Sequence, residues 1–95
     1  MQVQIHSIHF DADQQLLSFI NSKVAKLNTF HDKIINSDVY LRIEKSDNRE
    51  NKVAEVKIHA TGVDFFAKRR AVSFEASIDE ALEAIRRQIF KQKKA

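Results

Sequence analysis

Apolar residues recur with two different spacings along this 95-residue chain, and the order of those spacings leaves few possible folds. Two stretches repeat every three to four residues, the period of a helix, and four stretches tend to alternate, the period of a strand. Their order is β-α-β-β-β-α, and short connections between the last three strands predict an antiparallel meander. Because each helix must bury its stripe, we expect an α+β two-layer sandwich: a four-stranded, mostly antiparallel sheet with two helices on one face.

The two predicted helices have recognisable starts. Asp11, followed by Gln14 three residues later, is typical of a helix cap, and the first helix then continues to about Phe30. Ser73 is expected to cap the second helix. The apolar stripes comprise Leu17, Ile20, Val24 and Leu27 in the first helix and Phe74, Ile78, Leu82, Ile85 and Ile89 in the second.

Alternation predicts strands over residues 1–10, 39–44, 54–60 and 65–71, with a possible register break at residues 6–7. In the last strand, alternation places on one face Phe65, Ala67, Arg69 and Ala71, and on the other Phe66, Lys68 and Arg70.

Turn-forming and polar residues separate these strands. The polar residues 36–38 predict a turn, and residues 45–52 a mobile loop. The pair Thr61-Gly62 contains the only glycine of the chain, at a position suited to a turn with positive φ.

Composition excludes several classes of protein. The chain has no cysteine, so disulfides and thiolate metal sites are impossible. No apolar run is long enough to cross a bilayer, and residues 1–6 do not resemble the start of a signal peptide. We therefore expect one cytoplasmic domain, residues 1–95, that makes no membrane contact.

The sequence offers little that could support catalysis. It has no Gly-x-Ser-x-Gly elbow, and a single glycine cannot build a phosphate-binding loop. Helix capping accounts for Asp11 and Asp13, and His6 and His9 point to opposite faces of a predicted strand. We therefore predict no enzyme activity, no cofactor, no metal site and no small-molecule substrate.

Basic residues gather on the two helices. Lys23 and Lys26 lie on one side of the first helix, with Phe19 and Phe30 along the same line. The second helix carries one row of Arg87, Lys91 and Lys94 and a neighbouring row of Arg86 and Lys93. If the helices pack side by side, these rows could border one groove that binds phosphates. The alternative is that the cations only stabilise the helix ends and that the two phenylalanines border the core.

Several segments, in their order and spacing, resemble the ribosome hibernation-promoting factors, also called ribosome-associated inhibitor or sigma-54 modulation proteins. The resemblance covers essentially the whole chain. The matching segments are residues 1–5, residues 19–27 with their Lys-x-x-Lys-Leu pattern, residues 41–45, residues 73–79, and residues 85–89 with Lys91. The departures from the family pattern are Ser73, Glu75, Ser77 and Arg69, the last of which either faces RNA or marks a register irregularity.

The resemblance implies a protein that binds the small ribosomal subunit near the mRNA and tRNA channel, contacts 16S rRNA and blocks translation under stress or in stationary phase. It carries over as RNA-binding residues Lys23, Lys26, Arg86, Arg87 and Lys91. Charge alone adds Lys68, Arg70, Lys93 and Lys94. The chain lacks the C-terminal dimerisation domain of long members and so resembles the short type, which we expect to be monomeric off the ribosome.

Two alternatives remain open. One is a general double-stranded-RNA-binding module, although its α-β-β-β-α order lacks the first strand predicted here. The other is a protein-interaction domain that uses the exposed sheet face, lined by Tyr40, Arg42, Glu44, Lys57, His59, Phe66 and Lys68.

Overall fold

A computed structural model describes residues 2–94, except the side chain of Lys94. It confirms the predicted α+β architecture, a two-layer arrangement of one four-stranded sheet and two helices. The elements are β1 (Gln2–Ser7), α1 (Gln14–Ala25) continued by a 3₁₀ turn (Lys26–Thr29), β2 (Ile34–Ile43), β3 (Lys52–Ala60), β4 (Val63–Ala71) and α2 (Phe74–Lys94).

The strand order β1-β2-β3-β4 sets the direction of both helices. Strands β2, β3 and β4 form the predicted antiparallel meander, whereas β1 runs parallel to β2. The chain therefore leaves β1 and β4 at the same end of the sheet, and α1 and α2 both run back towards the opposite end. As a result, the end of α1 lies beside the first half of α2, and Phe30, just after the 3₁₀ turn, lies beside its C-terminal half.

One apolar core joins the helices to the sheet. Both stripes face the same side of the sheet, where Ile20 of α1 and Ile85 of α2 are completely buried. The sheet contributes Leu41, Val56 and Ile58, which are also completely buried. Truncating any one of these isoleucine or leucine side chains to alanine removes contacts in a close-packed interior, at a cost of about 2–5 kcal/mol. This core holds the two helices in fixed positions relative to each other.

The start of α1 differs from its prediction. The N-cap is Asp13 rather than Asp11, since the Asp13 carboxylate accepts a hydrogen bond of 2.8 Å from the backbone N–H of Leu16. Strand β1 ends at Ser7 instead of Phe10, and His9 adopts a left-handed φ of 65°. The predicted break at residues 6–7 therefore marks the end of the strand.

The prediction of a turn at residues 36–38 is wrong. These residues lie inside β2, where Ser37 is completely buried and pairs with Val3 on one side and Ile58 on the other. A strand with neighbours on both sides has partners for its backbone groups, and this pairing outweighs the turn preference of Asn, Ser and Asp. The register shift between Ile34 and Asn36 is the only irregularity in the pairing of β2 with β3 among residues 2–94.

The other predicted turn and cap are confirmed. Gly62 connects β3 to β4 with a φ of 79°, which favours glycine. The Ser73 hydroxyl accepts a hydrogen bond of 3.1 Å from the backbone N–H of Ala76 at the start of α2. Strands β3 and β4 each begin two residues earlier than predicted.

Candidate nucleic-acid interface

The first helix, its 3₁₀ continuation and α2 meet along a line that we call the helix seam, formed by Lys23, Phe30, Arg86, Phe90 and Lys93. Lys23 lies 3.6 Å from Asp79 of α2, and the Lys93 ammonium donates to the backbone carbonyl of Phe30. The rings of Phe30 and Phe90 meet edge to face, with their centroids 5.6 Å apart. Residues from both helices therefore form one continuous surface.

Arg86 is held in place at the middle of the helix seam. Its guanidinium donates two hydrogen bonds to the Glu83 carboxylate, at 3.0 and 2.7 Å. This contact raises the pKa of Arg86 and lowers the pKa of Glu83 from their ordinary values. The guanidinium carbon also lies 5.4 Å from the Phe90 ring centroid and 6.0 Å from that of Phe30. One cation and two rings thus contact one another in a fixed arrangement.

On α2, Arg87 and Lys91 face away from α1. Arg87 lies 3.6 Å from Glu83 and borders a shallow cleft that also contains Arg69 of β4. Lys91 is one helical turn beyond Arg87 and three residues after Gln88, whose side chain contacts β4. The two rows therefore lie on adjacent faces of α2, joined at Glu83, which both Arg86 and Arg87 contact, and they do not border one groove between the helices.

Lys26 extends the basic surface beyond the helix seam. It lies in the 3₁₀ turn, three residues after Lys23, and is exposed. Within residues 2–94, neither Lys26 nor Lys91 forms an ion pair with a described carboxylate. These two lysines are therefore available to an external anion without first breaking an internal contact.

The end of the helix layer retains a positive charge. Six cations belong to the last turn of α1, the 3₁₀ turn and the second half of α2, and the two carboxylates that pair with them are Asp79, in the second turn of α2, and Glu83. The C-terminal dipoles of two helices together subtract roughly one further unit charge. Since an excess of positive charge remains, helix stabilisation alone does not account for all of these cations.

Two predicted site residues, Lys68 and Arg70, lie on the opposite side of the sheet. We call this side the outer face; it comprises Gln2, Gln4, His6, Asn36, Asp38, Tyr40, Arg42, Glu44, Val53, Glu55, Lys57, His59, Asp64, Phe66, Lys68 and Arg70. Arg70 forms an ion pair with Glu44, and Lys68 is paired across the strands with Glu55. The sheet separates both cations from the helix seam.

Carboxylates neutralise most of the positive charge of the outer face. Arg42 donates to Glu55 and, at 2.6 Å, to Glu44, and these contacts raise the pKa of Arg42. The hydrogen bond from Arg42, with further contributions from Arg70 and Lys68, lowers the pKa of Glu44 below its ordinary value. Hydrogen bonds to the charged forms of both partners produce these shifts.

The outer face also holds two of the histidines. His6 and His59 lie 3.5 and 3.4 Å from the two oxygens of Asp38. Over the described part of the chain, no group of three or more His, Asp or Glu side chains is arranged to hold a metal ion.

Arg69 is exposed at the edge of the sheet. Its side chain donates to the backbone carbonyl of Lys68 at 2.8 Å, on the side of the helices. The register between β3 and β4 is continuous from Lys52 to Ala60, so Arg69 does not mark an irregularity. Because β4 is an edge strand, an inward-facing residue there still reaches solvent.

The match to a known family covers nearly the whole chain. The family model described as Sigma 54 modulation protein / S30EA ribosomal protein matches residues 3–95. The chain belongs to this family. The prediction from the sequence is thereby confirmed.

Curated relatives and a solved structure agree with membership of the S30EA family. A protein named ribosome hibernation promoting factor from Klebsiella oxytoca is 26% identical over 93 residues, covering 98% of this chain and 94% of the relative. One of the same name from Pseudomonas putida is 28% identical, covering 98% and 87%. A ribosomal subunit interface protein from Coxiella burnetii has the same fold, with a TM-score of 0.87 over the full length of both chains at 18% identity.

Two residues of α2 that make tertiary contacts, Phe90 and Gln88, were not singled out from the sequence of this S30EA family member. Phe90 is an exposed ring outside the apolar stripe of α2, and its spacing from Arg86 and Lys93 is the signal that could have identified it. Gln88 both donates to and accepts from the backbone of Phe66, at 2.7 and 3.2 Å, and so covers the edge of β4. Its sequence position gives no sign of this contact.

Two further predictions concern the side chain of Lys94 and the absence of membrane contact. The side chain of Lys94, a predicted RNA contact, lies outside the described residues. Within residues 2–94, no helix is both long enough and apolar enough to span a membrane.

Proposed function

We propose that this protein is a ribosome hibernation factor that binds the small ribosomal subunit through 16S rRNA, in the channel used by mRNA and tRNA, and so blocks translation. In this proposal residues 1–95 form a single ribosome-binding domain, which acts in the cytoplasm and is monomeric off the ribosome. Family membership and the names of the curated relatives support the ribosomal role. The observation that carries the rRNA contact is the basic surface at the adjoining ends of the two helices.

Binding at this surface would be driven by charge. Each phosphate neutralised by a lysine or arginine releases condensed counterions, so affinity falls steeply as salt rises. Lys26 and Lys91 supply charge that is not paired within the described part of the protein. Arg86 supplies a planar guanidinium already fixed by Glu83, so little conformational freedom remains to be lost on binding.

The proposed mechanism is occupancy rather than chemistry. A folded protein in the channel excludes mRNA and tRNA, and no bond is made or broken. Compactness and charge are then the properties that matter. The buried core keeps the protein compact, and the helix ends provide the positive charge. The protein therefore requires no cofactor and no small-molecule substrate.

Charge reversal at the helix ends tests this proposal. In the variant Lys26→Glu/Arg87→Glu/Lys91→Glu, all three altered side chains are exposed, so folding should be preserved. The matched control Lys45→Glu/Arg49→Glu/Lys57→Glu changes the net charge equally, in the β2–β3 loop and on the outer face. At low salt we expect the wild type and the control to co-sediment with small subunits in a sucrose gradient, and the helix-end variant to remain unbound.

Two results would contradict the proposal. One is wild-type protein found only in the ribosome-free fraction at low salt. The other is equal affinity for bare duplex RNA and for small subunits, which would favour a general double-stranded-RNA-binding module.

A further inference from the structure

Phe90 is an exposed aromatic ring within a basic surface. Its side chain is 38% exposed, and it lies outside the stripe that α2 buries against the sheet. Exposure alone does not identify a binding residue, since Phe66 on the outer face is 45% exposed, so it is the surroundings of Phe90 that distinguish it. Its neighbours along α2, Arg86 and Lys93, are both cations. The positive charge around Phe90 favours an anionic partner over an apolar protein surface.

The ring is also held in position before any ligand arrives. Phe30 contacts it edge to face, and Arg86, itself bonded to Glu83, lies 5.4 Å from its centroid. The contact of Lys93 with the Phe30 carbonyl fixes the end of the 3₁₀ turn against α2. A ring supported in this way loses little freedom when a second planar group packs on its exposed part.

We propose that Phe90 stacks against an unpaired nucleobase of single-stranded RNA, while Lys26, Lys91 and Lys93 contact the phosphates on either side. The inference rests on the proposed function and specifies it further, since it names the kind of RNA that the helix ends bind. Every base has a π-face, so an aromatic ring beside cations binds single strands with little sequence preference. In an RNA duplex the faces of the bases are already stacked and only groove edges and phosphates remain accessible.

Two phenylalanine variants separate stacking from charge. Phe90→Leu retains apolar volume but removes the π-face, and Phe66→Leu does the same at an exposed ring on the outer face. The probes are oligo(A) of about 12 nucleotides and an RNA duplex of the same length, a size within the range of single-strand sites. We expect Phe90→Leu to weaken oligo(A) binding about tenfold and to leave duplex binding and the salt slope unchanged. Phe66→Leu should match the wild type on both probes.

A fluorescent variant gives an independent measurement. The chain has no tryptophan, so Phe90→Trp introduces a single reporter whose ring can still stack. Oligo(A) should quench its fluorescence, whereas the duplex should not, and the matched Phe66→Trp variant should respond to neither. This measurement remains decisive even if Phe90→Leu fails to fold.

The inference and the proposed function can fail separately. Equal loss on both probes in Phe90→Leu, no loss on either, or unquenched Phe90→Trp would overturn the stacking role. If the wild type nevertheless co-sediments with small subunits and the helix-end variant does not, the proposed function survives. Absence of the wild type from the small-subunit fraction would overturn the proposed function whatever oligo(A) does.

Discussion

The helix seam and the outer face of the sheet both carry cations and an exposed phenylalanine, but carboxylates are distributed differently between them. On the outer face, four carboxylates lie among four cations, and Arg42 and Arg70 share one of them, Glu44, although the described residues show no direct ion pair for the two lysines; the carboxylates are Asp38, Glu44, Glu55 and Asp64, and the cations are Arg42, Lys57, Lys68 and Arg70. Along the helix seam and beside it, six cations have only two carboxylates as partners, Asp79 and Glu83, and Lys26 and Lys91 form no ion pair with any carboxylate that the structure describes. The two surfaces therefore differ more in the number of carboxylates beside their cations than in the number of cations.

The two surfaces also differ in the partners that hold their arginine side chains in place. Arg42 of β2 is bound to Glu55 of β3 and to Glu44, just after the end of β2, so its contact with Glu55 links two neighbouring strands. Arg86 is bound to Glu83 of its own helix and leaves its flat surface against two rings. The first arrangement contributes to stability, whereas the second presents a planar cation at a surface that a nucleic acid can reach.

The largest expected difference between the surfaces is in ribosome binding. Lys26→Ala/Lys91→Ala removes two phosphate contacts and should weaken binding to small subunits about thirtyfold. It should also reduce the slope of log affinity against log salt by roughly 1.5. Filter binding across a salt series measures both quantities. The matched pair Lys57→Ala/Lys68→Ala on the outer face should change neither, and an equal effect from the two pairs would remove the distinction between the surfaces.

A smaller effect is expected when the outer face is made to resemble the helix ends. Glu44→Gln/Glu55→Gln removes two negative charges beside Arg42 and Arg70, so the outer face should gain affinity for phosphates. We expect about threefold tighter binding of duplex RNA at low salt, and no gain at high salt. Glu50→Gln/Asp47→Gln, in the β2–β3 loop, is the control for net charge. Similar gains in both variants would show that net charge, and not local neutralisation, controls binding.

Acid should weaken the network of the outer face. The folded pKa of Glu44 lies below its ordinary value of 4.5, mainly because Arg42 donates to it. The stability that this contributes is complete above the ordinary pKa and is lost as pH falls through the folded pKa. The difference in thermal midpoint between the wild type and Glu44→Gln should therefore shrink below about pH 4.5. Parallel curves from pH 7 to 3 would show that Glu44 is not stabilised by Arg42, and Glu50→Gln serves as the control.

The fold could be predicted because apolar periodicity reports directly on which residues face a core. The helix stripes and the faces of β3 and β4 follow from spacing alone, and burial of Ile58 and Ile85 confirms them. The prediction of a turn at residues 36–38 failed because the conformation of these residues depends on strands β1 and β3, which lie on either side of β2. A local turn preference carries no information about such neighbours.

The candidate site was less accessible to prediction for a related reason. Alternation correctly placed Lys68 and Arg70 on the face opposite Ala67, but it could not show that Glu44, 26 residues before Arg70, lies beside it. The sequence likewise gives the helical row of Arg86 and Phe90 but not the position of Phe30, which depends on the 3₁₀ turn after α1. Cation positions follow from periodicity, whereas their neutralisation depends on tertiary contacts.

The smallest expected effect concerns the one ion pair that joins α1 to α2 in the described residues, between Lys23 and Asp79. Both side chains are partly exposed, 38% and 54%, so solvent screens the attraction and a double-mutant cycle should give only about 0.5 kcal/mol of coupling. Urea unfolding of Lys23→Ala, Asp79→Ala and the double variant measures it. If Lys23 serves mainly to bind RNA, Asp79→Ala should leave stability nearly unchanged and strengthen binding to small subunits, because it frees that lysine. A coupling above about 2 kcal/mol would instead make Lys23 a structural residue, and the helix seam would then bind RNA without it.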